Sequence, residues 1–204
     1  MVAEDTYRTI DGTSTGIYRE KGSKFIAIAR PVYTEDDINV IVEDLRKEYY
    51  DARHHCYAYI LGAKGEKWRV NDDGEPSGTA GKPIHGQLLS FNITNVLVVV
   101  VRYFGGTKLG VSGLINAYKS ATQDALQNAT VITKTVDDIF NINFSYLVMN
   151  DIMRIIKDLN IDINEQLFDN SCRIKVTIRK SLSDEFISRV EKIESVNMEY
   201  LSTV

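Results

Sequence analysis

The feature that most constrains this chain is the unbroken apolar run Val96–Val101, which continues as Arg102-Tyr103. It is β-branched, bounded by turn residues and far too short to cross a bilayer, so it reads as a central buried strand rather than a membrane span. A strand of that kind needs cover, and the flanking sequence supplies it. Pro83–Phe91 has a proline suited to a helix first turn. Val111–Asn128 places Leu114, Ala117, Tyr118, Ala121 and Leu126 near one helical face. Upstream, Thr15–Arg19 and Lys24–Val32 read as strands around a Lys21-Gly22-Ser23 turn. Thr34 caps a helix with Glu35, Asp36 and Asp37 in its first turn and an apolar face of Ile38, Ile41, Val42 and Leu45. Arg53–Leu61 alternates like a strand, with Trp68–Val70 as its short partner.

After Thr130 the pattern changes. Thr135–Phe144, Ile161–Phe168, Cys172–Arg179 and Asn197–Thr203 read as strands. Asn150–Leu159 and a segment capped by Ser181 and running through Ile193 read as helices, with Asp169-Asn170 as a turn. The order is β-α-β-β-α-β, the ferredoxin-like sequence of elements, and can form its own two-layer core. Two domains are expected, 1–134 and 135–204, in an α+β fold.

Charge narrows the partners. The chain carries a net charge of −4, which argues against non-specific nucleic-acid binding driven by overall charge. Residues 1–136 hold 16 Lys/Arg and 16 Asp/Glu, so the acidic surplus lies in the C-terminal third and a polyanion would meet the N-terminal part. Two distant cysteines, Cys56 and Cys172, make no disulfide framework, and a cytoplasmic setting fits them. The acidic start Met1–Asp5 does not read as a signal peptide, and no membrane partner is expected.

Two glycine-rich loops carry the chemistry. Asn71–Pro83 mixes Asp72, Asp73, Glu75 and Lys82 with glycines that let backbone approach a ligand. Arg102–Gly113 contains Gly105, Gly106, Lys108 and Ser112 between a strand and a helix start, where free N–H groups and the helix dipole favour anions. It is neither a Walker A loop nor GxGxxG. Both loops lead into helix N-termini, so packing side by side on one sheet would gather Asp72, Asp73, Glu75, Lys82, Arg102 and Lys108 into one mixed-charge pocket, suited to a phosphate-containing ligand with a metal or to a protein partner. Arg53, His54 and His55 are candidate binding or acid–base groups, and His85 could join them. The spacing argues against a structural metal, no cofactor motif is present, and no catalytic residue is assigned.

The runs Asn71–Ile84 and Val99–Ala117, with the Lys21–Phe25 turn and the Arg53–Tyr57 segment, resemble the hallmark segments of the IMPACT family over about residues 17–125. The resemblance implies a ribosomal-protein-like, two-layer α/β domain with a left-handed βαβ crossover, as in GHMP kinases and domain four of elongation factor G. The C-terminal part is similar to the small domain that bacterial members append and to domain five of that factor. Because the match begins almost at the N-terminus, the regulatory N-terminal domain of eukaryotic members is not expected here; the resemblance implies for those members a role in regulating translation by competing for the activator of the kinase that phosphorylates initiation factor two. Three functions follow as expectations. The first is a cytosolic regulator contacting RNA, ribosomes or a translation factor. The second is an enzyme acting on a phosphorylated or anionic small molecule between the loops. The third is a protein–protein adaptor whose acidic C-terminal part suits a basic partner.

Overall fold

A computed structural model of the chain describes residues 5–168 and 171–204. They divide into two compact units, 7–134 and 135–204, with residues 5–6 belonging to the second. In the first unit the elements run β1 (Thr6–Asp11), β2 (Ser14–Glu20), β3 (Ser23–Pro31), α1 (Glu35–Glu48), β4 (His54–Leu61), β5 (Lys67–Asn71), α2 (Gly81–Phe91), β6 (Val96–Tyr103), α3 (Gly110–Gln127) and β7 (Thr130–Thr135). Five strands form an antiparallel sheet in the order β2-β3-β6-β4-β5, with β6 at its centre.

The apolar run is continuous because β6 is buried on both faces. Val96, Val98 and Val100 point into a core shared with Ile84 and Leu88 of α2 and Leu114, Ala117, Tyr118, Ala121 and Ala125 of α3. Leu97, Val99 and Val101 point the other way, against Ile38 and Leu45 of α1. The sheet therefore carries a helical layer on each face, one layer more than the resemblance implies. Thr34 caps α1 in a full capping box with Asp37.

Two elements arise where the sequence shows no strand signal: β1 and β7 pair with each other as a separate two-stranded sheet. Helix α2 begins at Gly81, two residues before the expected start. The Asp72 carboxylate accepts the N–H groups of Ala80 and Gly81, which sets the turn early. Pro83 then falls within the first turn, where a missing N–H leaves no intrahelical bond unmade.

The second unit runs β8 (Asp137–Phe144), a 3-10 turn (Tyr146–Val148), α4 (Met149–Asp158), β9 (Asp162–Phe168), β10 (Cys172–Arg179), α5 (Lys180–Val190) and β11 (Val196–Thr203). Its antiparallel sheet has the order β11-β8-β10-β9. Alternate residues of the two central strands (Phe140, Ile142, Phe144, Ile174, Val176) meet Ile152, Ile156 and Phe186 in one core. Ser181 does not cap α5. The helix starts at Lys180, and the Asp5 carboxylate takes the Ser181 N–H at 3.2 Å and pairs with Arg179 at 2.7 Å. The expected Asp169-Asn170 turn lies outside the described residues.

Candidate functional site

The site is laid out by strand register. Phe25 of β3 and His54 of β4 both stand opposite Arg102 of β6, so the three share one row on the face that α2 and α3 cover. The first glycine loop folds over this row, and its own acids build it. Asp72 accepts from the N–H groups of Gly78 (2.8 Å), Ala80 (3.0 Å) and Gly81 (2.8 Å). Burial raises the Asp72 pKa, but these three bonds and the nearby Lys82 charge outweigh it and hold the group below its ordinary value. Asp73, in a left-handed conformation at φ 40°, accepts the His55 N–H and the Arg46 guanidinium, both at 2.6 Å. Its carbonyl lies 2.8 Å from His54 Nδ1.

Glu75 turns inward. Its Oε1 accepts from Arg102 Nη1 at 2.5 Å and from the Tyr118 hydroxyl at 2.8 Å, with the Glu75 and Arg102 side chains 4% and 7% exposed. The Arg102 guanidinium lies 5.4 Å from the centroid of Phe25 and 5.7 Å from that of Phe104. Cys56 Sγ is 3.3 Å from the Tyr118 oxygen and donates to the Asp72 carbonyl at 3.0 Å. Burial pushes the Cys56 thiol and the Tyr118 hydroxyl far up, so both keep their protons. That is the reverse of an activated cysteine nucleophile. One donor is left over: Arg102 Nε is shut off from solvent and meets no acceptor among the described residues. Leaving such a donor unmatched costs about 1–3 kcal/mol.

The second glycine loop rests on the β2–β3 hairpin. Glu20 pairs with Ser23, so Lys21 and Gly22 form a two-residue turn, both at positive φ (47° and 79°). Gly105 packs backbone to backbone on that turn. A Cβ there would stand 1.9 Å from the Gly22 carbonyl carbon, and its N–H donates to Ser23 Oγ at 3.1 Å. Gly106 has φ 86° with open space around it. The two helix starts differ: the Asp72 carboxylate takes N–H groups at the start of α2, whereas among the described residues no side chain caps α3.

Of the residues singled out from sequence, His54, Asp72, Asp73, Glu75 and Arg102 are brought together, with Lys82 beside Asp72 and Gly78. Gly105 joins them through the chain from Arg102. Arg53, Lys108 and Ser112 are exposed and, among the described residues, make no hydrogen bond or ion pair; Gly106 is likewise exposed. The single six-residue charge pocket is therefore not formed: its acids are bonded inward and Lys108 stays on the rim. His55 faces the α1 core instead, with Nε2 3.2 Å from the Tyr49 carbonyl. His85 stacks on Trp68 at 4.7 Å, and among the described residues its Nε2 is buried without a hydrogen-bond partner. Among the described residues no His/Cys/Asp/Glu group is arranged to hold a metal, and no helix is long and apolar enough to cross a membrane. Tyr118, Cys56, Phe25 and Arg46 are the site residues that sequence reasoning missed. Tyr118 gave the one available signal, since a tyrosine in an apolar helix stripe needs an acceptor for its hydroxyl.

The fold and this site define a two-unit α+β protein whose first unit is organised around paired glycine loops and a buried Glu–Arg–Tyr knot. The family model described as the Impact N-terminal domain matches residues 21–126, just over half of the chain, and the chain belongs to that family. It is similar to the IMPACT family member YigZ of Escherichia coli (strain K12), at 41% identity over 117 residues covering 56% of this chain and 57% of the relative. It is also similar to the IMPACT family member YvyE of Bacillus subtilis (strain 168), at 29% over 164 residues, 80% of this chain and 76% of that one. A crystal structure described only as that of a hypothetical protein matches 97% of this chain and 98% of its own, with a TM-score of 0.73 and 28% identity.

Proposed function

We propose that the chain is a regulatory binding protein of the translation apparatus that contacts RNA through the rim formed by the β2–β3 turn and the second glycine loop. The observation that carries this reading is how charge is used at the site. Asp72, Asp73 and Glu75 are bonded to backbone, to Arg46 and to Arg102. The cations Arg19, Lys21, Lys24, Arg53 and Lys108 have no such partner among the described residues, and all but the half-buried Lys24 are exposed. The rim is thus rich in cations without partners, in a unit where residues 7–134 hold 16 Lys/Arg against 14 Asp/Glu. Beside it lie the half-exposed ring of Phe104 and the uncapped N-terminus of α3. Cations tracking a phosphate backbone next to an exposed aromatic ring form the usual arrangement for single-stranded nucleic acid. Membership of a family whose eukaryotic members regulate translation supports the same direction.

The test is RNA and ribosome binding by the full chain across a salt series. Binding is expected at low salt and weakens as salt rises. The triple variant K21E/K24E/K108E should bind at least about tenfold more weakly, and each lost phosphate contact should remove roughly 0.7 from the slope of log K against log salt. A wild-type chain that binds neither at low salt, or a triple variant with an unchanged slope, overturns the reading.

A further inference from the structure

A guanidinium carries five N–H donors in a fixed fork. Among the described residues the Arg102 side chain has one acceptor, Glu75 Oε1, on Nη1. The other edge, Nε–H with the neighbouring Nη2–H, is the one that meets an oxyanion side-on through two parallel bonds. Nε is solvent-excluded and meets no acceptor among the described residues. The groups around it do not compete for that edge, because Asp72, Asp73 and Tyr118 are each bonded elsewhere.

The enclosure has a fixed wall and a loose one. Phe25 is fully buried and packs edge-on against Tyr118 at 5.1 Å, so it cannot move without disturbing the core. Phe104 is 53% exposed, and of the two glycines that follow it Gly105 is packed on Gly22 while Gly106 has open space where a Cβ would stand. Only Phe104 can swing away cheaply. Glu75 already offsets the Arg102 charge, so a second anion needs a further cation, and the exposed Lys108, without a partner among the described residues, stands on the same loop as Phe104. A phosphate carries further oxygens and a larger negative charge than a carboxylate, so it can meet the fork side-on and still reach Lys108.

We propose that the Nε/Nη2 edge of Arg102 is a receptor for one phosphate group and that Phe104 is its cover. This rests on the RNA reading where it takes an RNA phosphate as the source; a free phosphate or phosphorylated metabolite is the other source. The probe is the Arg102 Nε–Hε resonance of the full chain, titrated with inorganic phosphate, with acetate, and with a short RNA carrying either a 5′-phosphate or a 5′-hydroxyl. Phosphate should shift the resonance saturably and acetate should not. Phe104→Ala, which removes the cover, should bind phosphate at least about threefold more tightly, because the open form no longer has to be selected from a mostly closed population. Arg102→Lys keeps a cation opposite Glu75 but lacks the fork, so the phosphorus line should no longer broaden with protein. Trp68 fluorescence checks that this variant is folded.

A resonance unmoved by phosphate in both wild type and Phe104→Ala overturns the subsite, even where RNA binds with the lysine-dependent salt slope. A resonance that moves with phosphate while neither RNA binds sustains the subsite, assigns it to a free phosphate, and removes the RNA reading.

Discussion

Replacing Glu75 by alanine should leave the Arg102 guanidinium buried beside two aromatic rings with no counter-charge. Both side chains are more than nine-tenths buried, so screening by water is slight. Removing one partner of such a pair costs about 3–5 kcal/mol. The Tyr118 hydroxyl loses the same acceptor, so about 3–5 kcal/mol is the lower end of the expected loss. Domains of this size are stable by roughly 5–15 kcal/mol, and each kcal/mol moves Tm by about 3–4 °C, which gives a fall on the order of 10–20 °C. The assay is built in: Trp68 is the only tryptophan and lies on β5, so its fluorescence during urea unfolding follows the first unit. Glu75→Gln keeps an acceptor and should lose less. Tyr118→Phe gives up one hydroxyl and should lose about 1 kcal/mol. The double variant Glu75→Leu with Arg102→Met should regain much of the loss, since an apolar pair of similar volume often replaces a buried ion pair at little cost. A Glu75→Ala unfolding midpoint within about 1 kcal/mol of wild type, or a double variant no better than Glu75→Ala, refutes the reasoning.

Two further outcomes follow from the same unit. Burial, and then the Arg46 charge, hold His55 below its ordinary pKa against the pull of Asp73, and burial does the same to His85. The unfolded chain then takes up protons first, so stability present above about pH 6.5 should fall as pH drops below it; the urea midpoint should decrease between about pH 7.5 and about pH 5.5, less steeply in His55→Gln, and a flat profile would show that these rings stay hydrated. Gly105→Ala forces a Cβ onto the Gly22 backbone and should cost about 2–3 kcal/mol, whereas Gly106→Ala meets open space and carries only the positive-φ penalty of about 1 kcal/mol; equal losses would mean the two turns do not touch.

What was legible in the sequence is what local patterning controls. The central strand, the Thr34 N-cap of α1 and the β-α-β-β-α-β order of the second unit depend on periodicity and caps within a few residues. Features set by distant partners were not legible. The strands β1 and β7 pair across more than a hundred residues, and neither has a strong alternation of its own. The start of α2 is fixed by Asp72, eight and nine residues upstream of the N–H groups it takes. The start of α5 is met by Asp5 from the other end of the chain.

The candidate site follows the same rule, and this changes how its charges are read. From sequence, three acids in a glycine loop look available to a metal, a proton or a basic partner. In the fold each of them ties elements together: Asp72 closes its own loop onto α2, Asp73 joins β4 to α1, and Glu75 joins β6 to α3. Residue type identified the right loop, but only tertiary wiring could show that its acids act as struts. Lysines are different, because a long cation can remain solvated and unpaired at little cost. The first loop is therefore the part of the site that holds its shape, and the exposed cations with the Arg102 edge are the part left to meet something else. A ligand that needs carboxylates would have to break the Glu75–Arg102 pair to reach them, and a ligand that needs cations would not.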